Sequence, residues 1–354
     1  MDRACRHVIS TFTSPFTSTA ELAQRFYQGL ADMLGKHDGL GVYILCLANA
    51  AYDADLWARL RASLARRHQS HAREIVAALR QGRRLTEPED DLMVFLKLLA
   101  IGFDGVETTS RRQAGPWHIR FNPIRALRPP RASGGAVEEL HRPFDAAGFH
   151  FNKPFLAKEV LWEGELTGKP ARVLYNKFPF APLHGLVVPE PLHARPQWLT
   201  PELHGWAWDT VAETAERLPG FGLAYNSLGA QASVNHLHFQ SFLGAQELPA
   251  LDPRFTHNGG SEPYPLPCRV AHSPRAAWCL LDELHQRNVP YNLVYTRGRL
   301  HLFPRLAQGK HPIPPWSGGL AWSELAGSMT VFSREDFEAL TAADITAALS
   351  ALAP

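Results

Sequence analysis

Cysteine is scarce in this 354-residue chain, and the four that occur (Cys5, Cys46, Cys268 and Cys279) stand far apart. None belongs to a Cys-x-x-Cys pair, so neither a structural zinc nor a disulfide framework is indicated, and reduced thiols are expected. Charge of one sign is lacking too. The 36 basic and 34 acidic side chains leave a formal net charge of +2, without the basic excess that marks a nucleic-acid binder. Only seven of the basic residues are lysine, a bias that genome composition explains as easily as function. No apolar run reaches the ~18 residues that a membrane span needs. Met1–His7 lead into a polar Ser/Thr-rich stretch, not into the apolar core of a signal peptide. A cytoplasmic protein without membrane or nucleic-acid partners is the expectation. Signature motifs are missing as well: no Gly-x-Gly-x-x-Gly after a strand, no Gly-x-Ser-x-Gly elbow, no His-Glu-x-x-His. The run Gly164–Pro170 approaches a phosphate-binding loop but is one residue short, and Pro170 stands where Ser or Thr would hold magnesium. These absences argue against the commonest dehydrogenase, kinase, serine-hydrolase and zinc-protease chemistries.

What is present describes an ordinary globular chain: 45% apolar and 20% charged residues, enough for a sizeable core. The length allows two domains, and the character of the chain changes near residue 115. Residues 1–114 read as helical. Ser18-Thr19-Ala20-Glu21 has capping-box spacing, and Leu22, Phe26, Leu30 and Met33 follow at helical intervals. The arginine-studded stretch Ala54–Leu85 reads as a solvated helix face or as a lid or homodimer surface near an anionic ligand. Glu87–Asp91 open another helix with acidic residues at its N-terminal dipole. Residues 115–354 are dominated by strands. These are Trp117–Asn122, a hairpin over Leu161–Asn176, Leu183–Pro189, Phe221–Tyr225, Asn235–Phe242 and a hairpin over Tyr291–Phe303. A proline- and glycine-rich loop at 128–135 and helices over Pro201–Leu218 and Ser333–Leu352 complete the reading. The fold class is therefore α+β, an antiparallel β-sheet with an N-terminal helical region.

The chemistry concentrates in His236-Leu237-His238-Phe239-Gln240. On a strand, positions i, i+2 and i+4 share one face, so these three polar side chains can line one wall of a pocket. The preceding stretch, Tyr225–Asn235, is rich in small and amide residues that let backbone N–H groups approach phosphate oxygens. Neutral imidazole can attack phosphorus if its other nitrogen donates to a fixed acceptor, and an amide two residues on can donate to a phosphoryl oxygen. The alternative is a metal pair or a surface His-x-His. Zinc would need a third and a fourth protein ligand, and neither cysteine nor carboxylate stands nearby, so no metal and no cofactor are expected.

These residues resemble a known family. Asn176–Pro189 is similar to the Asn-x-x-Pro…His-x-Leu-x-x-Pro segment of histidine-triad proteins, and Ser233-x-x-His236-x-His238-x-Gln240 resembles the transferase form of their triad. Hydrolytic members usually carry a third histidine where this chain has Gln240. Shared motifs point most fully to the GDP-hexose phosphorylases. They include Ala232–His238, Pro143–Lys153, Tyr291–Pro304 and Trp322–Gly327. Dinucleoside tetraphosphate phosphorylases resemble the chain next. The metal-binding cysteines of the uridylyltransferase branch are missing. The resemblance spans residues 115–345 and leaves the helical first hundred unexplained.

It implies a histidine-triad nucleotidyltransferase fold and a covalent nucleotidyl-histidine. His238 would be the nucleophile, His236 would orient it or contact phosphate, and Gln240 would bind the transferred phosphoryl group. Asn226, Ser227, Gly229 and Ser233 would meet phosphate oxygens, while Asn176 and Lys177 would lie near base or ribose. Ser233, Asn226, Asn176 and Lys177 can each instead serve a turn, and His184 reads as a strand-end packing residue. The implied partners are a nucleotide-sugar (a GDP-hexose first), or else a dinucleoside polyphosphate, together with inorganic phosphate. A nucleotide-binding protein without catalysis is the remaining alternative.

Overall fold

The computed structural model describes residues 14–128 and 137–354. The N-terminal heptapeptide, Cys5 and nearly all of the loop expected at 128–135 lie outside the described residues. Ten helices and eleven strands follow one another among the described residues. Four helices come first: α1 (Thr19–Lys36), α2 (Leu40–Tyr52), α3 (Ala54–Arg80) and α4 (Glu89–Ile101). Ser18 caps α1 as its spacing predicts, accepting from the Glu21 N–H at 3.2 Å. Every residue of α2 except Gly41 is buried. A helix apolar all round must be enclosed, and here α1, α3 and α4 surround it on the sides that the sheet leaves open.

A hairpin of β1 (Ser110–Ala114) and β2 (Trp117–Phe121) then straddles the expected boundary at 114/115. The short α5 (Pro123–Ala126) follows. Next come β3 (Val160–Leu166), β4 (Lys169–Tyr175), β5 (Gly185–Pro189), α6 (Pro201–Arg217), β6 (Gly222–Asn226) and β7 (Phe239–Phe242). The chain continues through β8 (Arg269–Ala271), α7 (Pro274–Gln286), β9 (Tyr291–Thr296) and β10 (Arg299–Pro304). It ends on α8 (Trp322–Leu325), β11 (Ser328–Val331), α9 (Arg334–Ala339) and α10 (Ala342–Ser350). Eight strands form one antiparallel sheet in the order β3-β4-β5-β7-β6-β9-β10-β8. The smaller sheet has the order β1-β2-β11, with β11 parallel to β2. Thus the architecture is α+β around an antiparallel sheet, with the helical region packed against it.

The helical layer shares its core with the sheet. Tyr175 of β4 reaches into α1, where its hydroxyl donates to the Phe26 carbonyl at 3.1 Å. Gly29 makes room for it: a Cβ there would lie 2.1 Å from the Tyr175 oxygen. At the β3–β4 turn, Thr167 and Gly168 take φ of +48° and +74°, the left-handed pair that matches the twist of a two-residue hairpin.

Two expectations need correction. The C-terminal helix is two helices: Leu340 turns extended, and Thr341 starts α10 by accepting from the Asp344 N–H. The strand expected from Asn235 begins only at Phe239. In the β6–β7 register Ala224 faces Gln240, so Asn226 and His238 would be the next partners on that face. The strands part there because other groups take up their hydrogen bonds. Leu237 N–H goes to the Arg195 carbonyl, and the Gln197 side chain fills the gap.

Candidate active site

Gln197 is 1% exposed, and its amide bridges the opening between β6 and β7. Its Oε1 accepts from the His238 N–H at 2.9 Å, while its Nε2 donates to the carbonyls of Asn226 (2.9 Å) and His238 (3.2 Å). The backbone of Gln197 is held in turn: its N–H donates to Asn235 Oδ1 and its carbonyl accepts from the Tyr225 hydroxyl, both at 3.0 Å. His238 is therefore fixed on a short splayed segment just ahead of β7, not within it. Sequence reasoning missed Gln197, and its surface-like context of Arg195-Pro196-Gln197 carries no signal for such a role.

The two histidines have complementary tautomers. His238 Nδ1 lies 2.8 Å from the His236 carbonyl, which can only accept, so Nδ1 carries the proton and Nε2 carries the lone pair. His236 Nδ1 accepts from the Phe151 N–H at 3.1 Å, so its own proton sits on Nε2. Burial, with His238, His150 and Arg172 adding repulsion, depresses the His236 imidazole to about 4. It is neutral at physiological pH and can donate through Nε2. Phe151 packs on both rings, at centroid separations of 5.7 Å from His236 and 4.9 Å from His238. Phe144 and His150 also pack against His236. The segment 143–153 is thus folded over the histidine pair, tied by Asn235 Nδ2 to the Arg142 and Pro143 carbonyls.

Gln240 is oriented by two donors. Its Oε1 accepts from His184 Nε2–H and from Trp322 Nε1–H, each at 2.9 Å. Two N–H donors on one atom identify that atom as the oxygen. The amide hydrogens of Gln240 are thereby left to other acceptors. His184 can act as donor because its Nδ1 accepts from the Phe180 N–H at 3.3 Å, and complete burial holds its imidazole neutral, at about 3. The packing histidine of the sequence reading is therefore also the residue that aims Gln240, and Trp322 brings the distant C-terminal segment to the same point.

The other expected residues divide. Asn226 lies beside His238; its Oδ1 accepts from Asn292 Nδ2 (2.6 Å) and from the Trp322 N–H (3.3 Å), leaving the amide nitrogen as the group able to meet an anion. Ser233 is exposed on the loop before His236. Ser227 is tied into the fold. Its hydroxyl proton is committed to the Leu228 carbonyl and its oxygen accepts from the Tyr291 N–H, both at 3.0 Å, so it has no proton for a phosphate oxygen. Gly229 takes φ of +77° and its carbonyl accepts from Gln308 N–H, turn duties that glycine serves without strain. Asn176 sits next to His184, with its Oδ1 accepting from the Phe178 N–H at 3.0 Å. Lys177 is not a free cation beside a ribose, since its ammonium is paired with Asp91 of α4. Among the described residues, no group of three or more His, Cys, Asp or Glu side chains is placed to hold a metal, and no helix is long and apolar enough to cross a membrane.

Comparison with known proteins adds a family to this geometry. Residues 117–242 match the family model described as GDPGP1-like, N-terminal domain. GDP-D-glucose phosphorylase 1 of Danio rerio is 31% identical over 236 residues, covering 58% of this chain and 67% of that protein. GDP-L-galactose phosphorylase 2 of Arabidopsis thaliana is 27% identical over 249 residues, covering 57% and 56%. The chain spans about 63% of the length of the first curated relatives that it matches. Among solved structures, yeast Ap4A phosphorylase Apa2 aligns with a TM-score of 0.49 at 17% identity, over 76% of this chain and 95% of that one.

Proposed function

The chain belongs to the GDPGP1-like family, and on that premise we propose that it is a nucleotidyltransferase that splits a GDP-hexose with inorganic phosphate through a covalent intermediate on His238. One observation carries the reading. The His236 carbonyl holds His238 through Nδ1, which sets Nε2 as the ring nitrogen for attack, while His236 keeps Nδ1 as an acceptor and carries its proton on Nε2. A nucleophile and a neutral donor to the phosphoryl oxygen thus stand two residues apart.

In the first half-reaction, His238 Nε2 attacks the α-phosphorus. The bond from that phosphorus to the bridging oxygen breaks, and hexose 1-phosphate leaves with the electron pair. Its phosphate is a stable anion and needs no proton from the enzyme. His236 Nε2–H and the Gln240 amide hydrogens then have the charge of the pentavalent phosphoryl group to bind. In the second half-reaction, a phosphate oxygen attacks the same phosphorus, the P–N bond breaks, and GDP is released with His238 restored. Phosphate arrives already anionic. Water would need a general base, which the Gln240 amide cannot be.

Incubating the protein with GDP-glucose and millimolar phosphate, followed by product analysis, tests this. GDP and glucose 1-phosphate are the expected products, and Gln240→His should raise the share of GMP. GMP released at a phosphate-independent rate would make the protein a hydrolase. Turnover of diadenosine tetraphosphate in place of any nucleotide-sugar would move it to dinucleoside polyphosphates.

A further inference from the structure

Beside the β1–β2 hairpin lies a cavity of about 420 Å³ that His238 does not line. Its size falls in the range of small-molecule pockets, ~300–1,000 Å³. His236 and Gln240 are absent from its lining as well.

The cavity is strongly cationic. Arg111, Arg112, Arg120 and His118 line it, against a single carboxylate, Glu247, among its described lining residues. Arg111 and Arg120 are direct partners in the β1–β2 ladder, and like charges so placed disfavour strand pairing. None of the three arginines enters a carboxylate ion pair among the described residues. Their hydrogens meet neutral acceptors instead. Arg111 reaches the Tyr52 carbonyl at 3.4 Å, and Arg120 reaches the Phe180 carbonyl at 2.7 Å and Ser328 Oγ at 3.4 Å. Arg112 is held by the carbonyls of Phe337 and Leu340. Each guanidinium has five N–H donors in a fork suited to phosphate, so positive charge and donors remain for a guest.

A second, independent feature points the same way. Tyr52 lines the cavity, and its hydroxyl is buried without a hydrogen-bond partner among the described residues. A buried polar atom left unpaired is uncommon in a folded protein and calls for an acceptor that arrives from outside. His118 adds to this, because burial and the nearby Arg120 hold its imidazole below the ordinary range until an anion offsets that repulsion.

We propose that this cavity is a second anion-binding site, which takes a phosphate ester of up to nucleotide size, with its phosphate on Arg111 and Arg120 and an acceptor oxygen on the Tyr52 hydroxyl. The proposal is independent of the chemistry assigned to His238. Calorimetric titration of the full chain with GMP tests it, with guanosine as the uncharged control. A binding event that persists in His238→Asn, weakens at least tenfold in Arg111→Gln/Arg120→Gln, and is absent with guanosine is the expected result. Tyr52→Phe should weaken the same event several-fold without lowering Tm, because the oxygen that it removes has no partner; this variant serves where the double arginine variant does not fold. GMP affinity and stoichiometry unchanged in Tyr52→Phe and in whichever arginine variant folds, or equal binding of guanosine, would overturn the proposal.

Discussion

Two neighbouring stretches, 226–233 and 236–240, are equally rich in polar and small residues, yet the structure treats them differently. In the first, the hydrogen-bonding capacity is largely consumed: Ser227 ties β6 to β9, and Asn226 Oδ1 holds Asn292 and the start of α8. In the second, each side chain is fixed through one atom, and the donors of His236 and Gln240 lie at the other end. His238 is anchored through Nδ1, His236 through Nδ1 and Gln240 through Oε1. Residue type does not separate the candidate site from a structural turn. What separates them is the donors left over once the fold has taken its share.

The sharpest way to break this comparison is at His238. His238→Asn should lower turnover at least a thousandfold, roughly 4 kcal/mol of barrier, while cooperative unfolding persists. Activity above a tenth of wild type would remove the nucleophile from the second stretch. A buried carboxyl provides a contrasting case. Glu159 is buried, and desolvation raises its carboxyl to about 7 despite the nearby lysines 177 and 158. The unfolded chain releases that proton near its ordinary 4.5. Between those values the folded state binds more protons, so stability falls as pH rises, by about 3 kcal/mol over the window. Thermal melts of Glu159→Gln should show that slope flattened, with Tm raised above pH 7; an unchanged profile would assign the pH dependence elsewhere.

Gln197 tests whether the second stretch depends on its anchor. Gln197→Leu removes the bridge to three backbone groups, and kcat should drop about tenfold to a hundredfold through misplacement of His238. A loss confined to KM would show that the bridge does not position the nucleophile. The smallest effect belongs to the first stretch. Ser227→Ala leaves the Tyr291 N–H unpaired and should cost about 1–3 kcal/mol of stability, read by denaturant titration, with KM for the nucleotide substrate within about twofold of wild type. A large KM effect would return Ser227 to the substrate.

Much of this was legible in the chain. Ser18 and Glu21 mark the start of α1, Thr167-Gly168 and Arg297-Gly298 mark two hairpins, and the i, i+2, i+4 pattern brings attention to His236, His238 and Gln240. Local chemistry determines each of those features. Others depend on partners far along the chain. The strand before Phe239 is absent because Gln197, some forty residues earlier, takes its ladder position. β11 is a four-residue, fully buried run without alternation, and only its parallel pairing with β2 makes it a strand. α7 had a readable signal that went unused: Ser273 before Pro274, then Ala277, Leu281 and Leu284 on one face. Lys177 had the right type for a phosphate contact, but nothing near it in sequence announces Asp91.

The indole of Trp322 on Gln240, 82 residues downstream, has a consequence for synthesis. At ~5–20 residues per second, roughly 4 to 16 s separate the emergence of Gln240 from that of the residue that helps to aim it. For the first part of that interval β6 also has no outer neighbour, because β9 is translated later than β7. A nascent chain thus carries an open sheet edge and an unfinished pocket, the condition in which strands pair wrongly with other chains. Only after α8 has left the ribosome can the Trp322 indole reach Gln240, so the candidate site is completed from the C-terminal segment.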